Sequence, residues 1–138
     1  MRIMAIDYGD AHTGIAISDP TGFLAGFTTV INAYRPEVVA EQIAALAKEH
    51  GVEELVLGHP INMDGTRGPR SEKAQAMAEL LRAATSLPVV LWDERRTTID
   101  AHQILMNSGK NAKKRKKVVD AVAATLILEG YLTYKKSH

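Results

Sequence analysis

Three acidic residues of this chain stand in apolar company. Asp7 ends the run RIMAID at residues 2–7, and Glu94 follows the run PVVLW at 88–92 and its neighbour Asp93. Asp120 is surrounded by Val118, Val119, Ala121 and Val122, and helical steps of three and four from it reach Ala123, Ala124, Ile127 and Tyr131. That places a carboxylate on an apolar stripe. Burying such a charge without a partner costs several kcal/mol, on the scale of a whole domain's stability. Three carboxylates brought together also repel and raise one another's pKa. A hard divalent cation, Mg²⁺ or Mn²⁺, relieves both penalties. Two such ions about 4 Å apart can activate a water and stabilise the leaving oxygen in phosphoryl transfer. Taken singly, each acid has a plainer role. Asp7 could cap a turn, Glu94 could be a surface acid, and Asp120 could be a first-turn helix acid or the partner of Lys116 or Lys117. The metal reading therefore depends on a fold that brings the three together.

The hydropathy pattern supplies such a fold. Strands are expected at 2–7, 14–18 and about 27–31, linked by the turn-rich stretches Tyr8–Thr13 and Asp19–Gly22. Pro36 then opens a helix to about His50, with Val39, Ile43, Leu46 and Ala47 on one face, and Gly51 stops it. ELVLG at 54–58 is a buried strand, followed by a loop over 60–68 in which Asp64-Gly65 makes a turn. Pro69 starts a helix to about Ala84 with Ala74, Met77, Ala78 and Leu81 inward, and PVVLW is the last strand. Thr97 caps a helix to about Asn107, and the final helix covers about 117–134. The order β-β-β-α-β-α-β-α-α predicts an α/β chain with a mixed five-stranded sheet and helices on both faces. Ligands of open α/β sheets gather at the carboxyl ends of strands, where Asp7 and Glu94 fall.

Bulk properties narrow the choice. A length of 138 residues fits one domain over 1–138, and 46% hydrophobic with 24% charged residues is globular rather than disordered composition. No cysteine is present, which excludes disulfides and cysteine-zinc sites, and the five histidines show no H-x-x-x-H spacing for zinc. The N-terminus lacks a signal-peptide pattern, and no uncharged apolar stretch reaches the roughly 18 residues of a membrane helix. A soluble, cytoplasmic protein is expected. The net charge of +1 is uninformative, but Lys110, Lys113, Lys114, Arg115, Lys116 and Lys117 form a local basic block. It either contacts phosphates or is a solvated loop or helix end. Arg95 could grip a phosphate bidentately or pair with Asp93 or Asp100. His59 and Trp92 read as structural. Aromatics at 5% leave base stacking little to work with.

Four motifs, in order along nearly the whole chain, carry a resemblance. Asp7-Tyr8-Gly9 with Gly14-Ile15-Ala16 resembles the opening motif of the YqgF (RuvX) family. Residues 58–66, GHPINMDGT, resemble its strand-four loop, and Asp93-Glu94-Arg95-Arg96-Thr97-Thr98 its acid-arginine-threonine motif. Lys116-Lys117-Val118-Val119-Asp120 with Ala123-Ala124 and Leu128-Glu129-Gly130-Tyr131 resembles its closing helix. The resemblance implies a ribonuclease H-like fold and a metal-dependent nuclease acting on pre-16S rRNA in ribosome maturation, with likeness to Holliday-junction resolvases of branched DNA. It implies Asp7, Glu94 and Asp120 as catalytic and metal-binding residues. It also favours a phosphate role for Asn62 over a loop brace, beside Arg95 and the block Lys113, Lys114, Arg115, Lys116 and Lys117. The chain departs from the family pattern at Ala11 and His12, where a basic residue is frequent, and at Arg96, where an apolar one is. The first departure passes a phosphate contact to His12 or loses it. Classical junction resolvases carry an acid at the end of strand four; here ELVLG ends without one. Expected partners are precursor rRNA or branched DNA and a ribosome precursor, met as a monomer or homodimer. Two other readings compete. One is a nucleic-acid-binding module without catalysis. The other is an actin-like or sugar-kinase-like nucleotide binder, which needs a second D-x-G loop that the chain lacks.

Overall fold

The computed structural model describes residues 1–21, 25–60, 68–93 and 112–137; for 112–120 and 137 it describes the backbone path. Strands β1 (Ile3–Asp7), β2 (His12–Ser18) and β3 (Ala25–Asn32) come first. Helix α1 (Pro36–His50), strand β4 (Glu54–His59), helix α2 (Pro69–Thr85) and strand β5 (Val89–Asp93) follow, and α3 (Ala112–Ser137) closes the chain. The expected helix at 97–107 lies outside the described residues.

One five-stranded sheet has the order β3-β2-β1-β4-β5. The β1–β2 and β2–β3 pairs are antiparallel, and β1–β4 and β4–β5 are parallel. This is the mixed sheet that hairpins followed by right-handed crossovers produce. The β2–β3 register shifts between Ile17 and Ser18, and there Ser18 Oγ accepts a buried hydrogen bond from the Ile3 amide at 2.8 Å.

Alternation along β1 sorts its side chains onto two cores. Met4 and Ile6 pack beneath α1 and α2 with Val39, Ile43, Met77 and Leu81. Ile3 and Ala5 pack beneath α3 with Ile127, Leu128 and Tyr131. Helices thus cover both faces. Each large aliphatic side chain buried in these cores contributes about 1.5–3 kcal/mol.

Local signals explain the helix ends. Pro36 sits in the first turn of α1, where its missing N–H costs nothing, and Gly51 caps the other end at φ 66°. That left-handed backbone is open to glycine at no steric cost. Helix α3 begins at Ala112 rather than near 117. Lysine and arginine are good helix formers and no breaker separates them from Val118, so the basic block continues the helix upstream. Position 120 is therefore two turns inside α3. The first-turn reading of Asp120 is overturned, because the helix dipole acts only within about one turn of the end.

Candidate active site

Asp7 is the last residue of the central strand, at its carboxyl end. By alternation with Ile3 and Ala5 it belongs to the face covered by α3. Its partner across β2 is Gly14, which brings no side chain to that face. The turn between the two strands is tight: a Cβ on Gly9 would lie 2.4 Å from the His12 carbonyl oxygen. A glycine is obligatory there, which gives the third residue of Asp7-Tyr8-Gly9 a steric reason. At the start of β2, His12 Nδ1 lies 2.6 Å from Asn32 Oδ1. An amide oxygen only accepts, so Nδ1 carries the proton in this contact.

The other end of α3 sets the depth of position 120. Tyr131 donates its hydroxyl proton to Glu54 Oε1 at 2.5 Å, and Lys135 Nζ lies 3.3 Å from Glu54 Oε2. Glu54 starts β4 beside Ile3. From Tyr131 back to position 120 the helix rises about 16 Å. From Ile3 to Asp7 the strand advances about 13 Å. Position 120 thus lies along α3 from that tie, in the direction of the carboxyl end of β1. It lies on the helix line that holds Ala124, Ile127 and Tyr131, all packed on the sheet.

Among the predicted residues, Asp7 is the triad member whose side chain is described. Glu94, Asn62 and Arg95 lie outside the described residues, as does Arg96. Lys113, Lys114, Arg115, Lys116, Lys117 and Asp120 are placed by the α3 backbone alone. Among the described residues, no three acidic or histidine side chains gather around a common point. Strand β5 runs to Asp93, which pairs in register with His59 at the carboxyl edge of the parallel strands. His59 is buried, with Nε2 2.6 Å from Ser71 Oγ, and ties the end of β4 to the start of α2. Trp92 is core, edge-on to Tyr131 with ring centroids 5.6 Å apart.

A cavity of about 350 Å³ opens on the opposite face, beneath α1 and α2. Tyr8, Asp10, Tyr34, Lys73, Met77 and Leu80 line it. Burial and, next, the nearby Asp10 carboxylate raise the Tyr8 hydroxyl above its ordinary pKa. The Lys73 ammonium holds Asp10 below the usual carboxylate value through a 2.9 Å hydrogen bond and its charge. Sequence reasoning missed this group. Its members are scattered along the chain, and only Tyr8, next to Asp7, hints at it.

A family model described as "RuvX: Holliday junction resolvase" matches residues 1–134. The chain belongs to the RuvX family. A relative from Halothermothrix orenii, provisionally named a pre-16S rRNA nuclease, is 45% identical over 135 residues, covering 98% of this chain and 96% of its own. The RuvX-family chain also shares its fold with Thermus thermophilus RuvC solved in complex with a Holliday junction substrate. That match has a TM-score of 0.64 at 14% identity and covers 99% of this chain and 96% of RuvC. The fowlpox virus resolvase, solved with Holliday junction DNA, matches with a TM-score of 0.55 at 12% identity, covering 99% and 98% of the two chains. The fold is ribonuclease H-like, as the motifs implied. Among the described residues no helix is long and apolar enough to cross a membrane.

Proposed function

We propose that this chain is a divalent-metal-dependent endonuclease that hydrolyses phosphodiester bonds in structured nucleic acid, with precursor 16S rRNA as its substrate. One observation carries the reading: Asp7 closes the central strand on the face that α3 covers, and position 120 falls on the same helical line of α3 as Ala124, Ile127 and Tyr131, which pack on that face. Asp7, Glu94 and Asp120 would hold the metal. The donor set suits it, since carboxylate oxygens are the hard ligands that Mg²⁺ and Mn²⁺ prefer, and the residue paired with Asp7 on β2 is Gly14, which has no side chain. Bound there, the metal would supply an activated water and charge neutralisation at the leaving oxygen. Arg95 and Asn62 would orient the flanking phosphates. Lys113, Lys114, Arg115, Lys116 and Lys117, now on one helix, would track the backbone. The chain would act as one domain in the cytoplasm, as a monomer or homodimer on a ribosome precursor. Names of the curated relatives support the rRNA substrate.

A second reading, cleavage of branched DNA, is favoured by the family's description and by the junction bound to both fold neighbours. One experiment separates the two. Wild type and Asp120→Asn are incubated with labelled precursor 16S rRNA and with a four-way DNA junction, with Mg²⁺, Mn²⁺ or EDTA. Metal-dependent cutting of the rRNA that disappears in Asp120→Asn is expected. Cutting of the junction alone favours the second reading. No cutting of either leaves a non-catalytic binding module.

A further inference from the structure

The cavity on the α1–α2 face begins one residue from Asp7. Side chains on β1 alternate, so Asp7 belongs to the α3 face while Tyr8 packs against the core beneath α1 and α2. The two faces meet at the carboxyl end of β1. A strand that laid a phosphate at Asp7 would have its neighbouring nucleotide at that edge, beside Tyr8. We propose that this cavity takes an unpaired nucleobase of the strand being cut, flanking the scissile phosphate. The inference rests on the nuclease reading of Asp7 and names a feature of the substrate.

The lining fits that occupant. Met77 is 1% exposed and forms the floor with Leu80, an apolar bed for a ring. Tyr8 and Tyr34 add aromatic surface, on which any base can stack through its π-face. Tyr34 is 80% exposed, an unusual position for a large aromatic side chain that the core does not use. The Asp10–Lys73 ion pair lies at the cavity with side chains 76% and 56% exposed. It offers an acceptor and a donor side by side, which matches the mixed edge of a nucleobase. An exposed pair of this kind is weak, so regrouping it around a ligand costs little. A volume of about 350 Å³ is ample for one base. A purely apolar partner would leave the ion pair without use. A duplex would keep its bases stacked and out of reach, so the expected substrate is unpaired at this nucleotide.

The test is binding by the full chain in EDTA, which prevents cleavage. Probes are a fluorescein-labelled single-stranded RNA, the same strand with one abasic nucleotide walked along it, and the fully paired duplex. Tyr34→Ala should weaken single-strand binding about tenfold. Tyr34→Phe should bind like the wild type, and the duplex should not distinguish the variants. At one abasic position, wild type should fall to the level of Tyr34→Ala. Equal binding by wild type and Tyr34→Ala, or the same loss on every probe, overturns the proposal. The two readings can fail separately. Metal-dependent cutting with no Tyr34 effect removes the cavity and keeps the nuclease. A Tyr34 effect without cutting removes the nuclease and keeps the base site.

Discussion

The face covered by α3 places a carboxylate at each end of the sheet, and the two are held in different ways. At the amino end Glu54 accepts the Tyr131 hydroxyl and faces the Lys135 ammonium, with Trp92 and Tyr134 packed edge-on around them. Its charge is met by side chains of α3 and it locks that helix to the sheet. At the carboxyl end Asp7 stands across from Gly14, on the face covered by the helix that carries a second acidic residue, Asp120. The tie at Glu54 fixes the helix along its axis and so sets where position 120 falls. An acid whose neighbours are Tyr and Lys belongs to the fold. Under the proposed nuclease reading, Asp7 would serve a cation instead.

The contrast can be broken from either end. Asp7→Asn should lower metal-dependent cleavage by about a hundredfold or more while leaving thermal unfolding nearly unchanged, read by gel assay and calorimetry side by side. A fully active Asp7→Asn would make Asp7 one more structural acid. Leu128→Ala empties a fully buried site under α3 and should cost about 2–5 kcal/mol in denaturant unfolding. Glu54→Gln should cost about 1–2 kcal/mol, because Tyr131 and Lys135 lose their charged partner, with cleavage per folded molecule retained. A large loss of cleavage without loss of stability would erase the distinction between the two ends.

The smallest effect is a pH dependence. Burial first, then the hydrogen bond to Glu54, raise Tyr131 well above its ordinary value of 10.0. The folded state therefore holds this proton where the unfolded chain releases it. The stabilisation is complete below about pH 10 and is lost as pH rises beyond it. Tyr131→Phe should flatten that alkaline loss in urea titrations at pH 9 to 11. An equal slope in both proteins would place the cause elsewhere, on the lysines for instance.

Much of this was legible in the residues, for physical reasons that can be named. Pro36 and Gly51 mark α1 because one has no N–H to lose and the other accepts φ 66°. Ala74, Met77, Ala78 and Leu81 mark α2 because helical periodicity places them on one buried line. Asp7 was conspicuous as a charge ending an apolar strand. The start of α3 was not legible. Lys113 to Lys117 read as the lead into a helix at about 117, because a run of like charges looks solvated although its helix propensity carries α3 back to Ala112. The nucleobase cavity was hidden for another reason. Tyr8, Tyr34 and Lys73 meet through crossovers between strand and helix, and no local spacing records such a meeting.

Mn²⁺ binding tests the central claim most directly, because it needs no knowledge of the substrate. Electron paramagnetic resonance titrations would compare wild type, Asp7→Asn and Asp120→Asn at equal ionic strength. The account predicts that wild type binds Mn²⁺ and that each substitution weakens binding by about tenfold or more. Wild-type affinity in both variants would contradict a metal site shared between the end of β1 and α3.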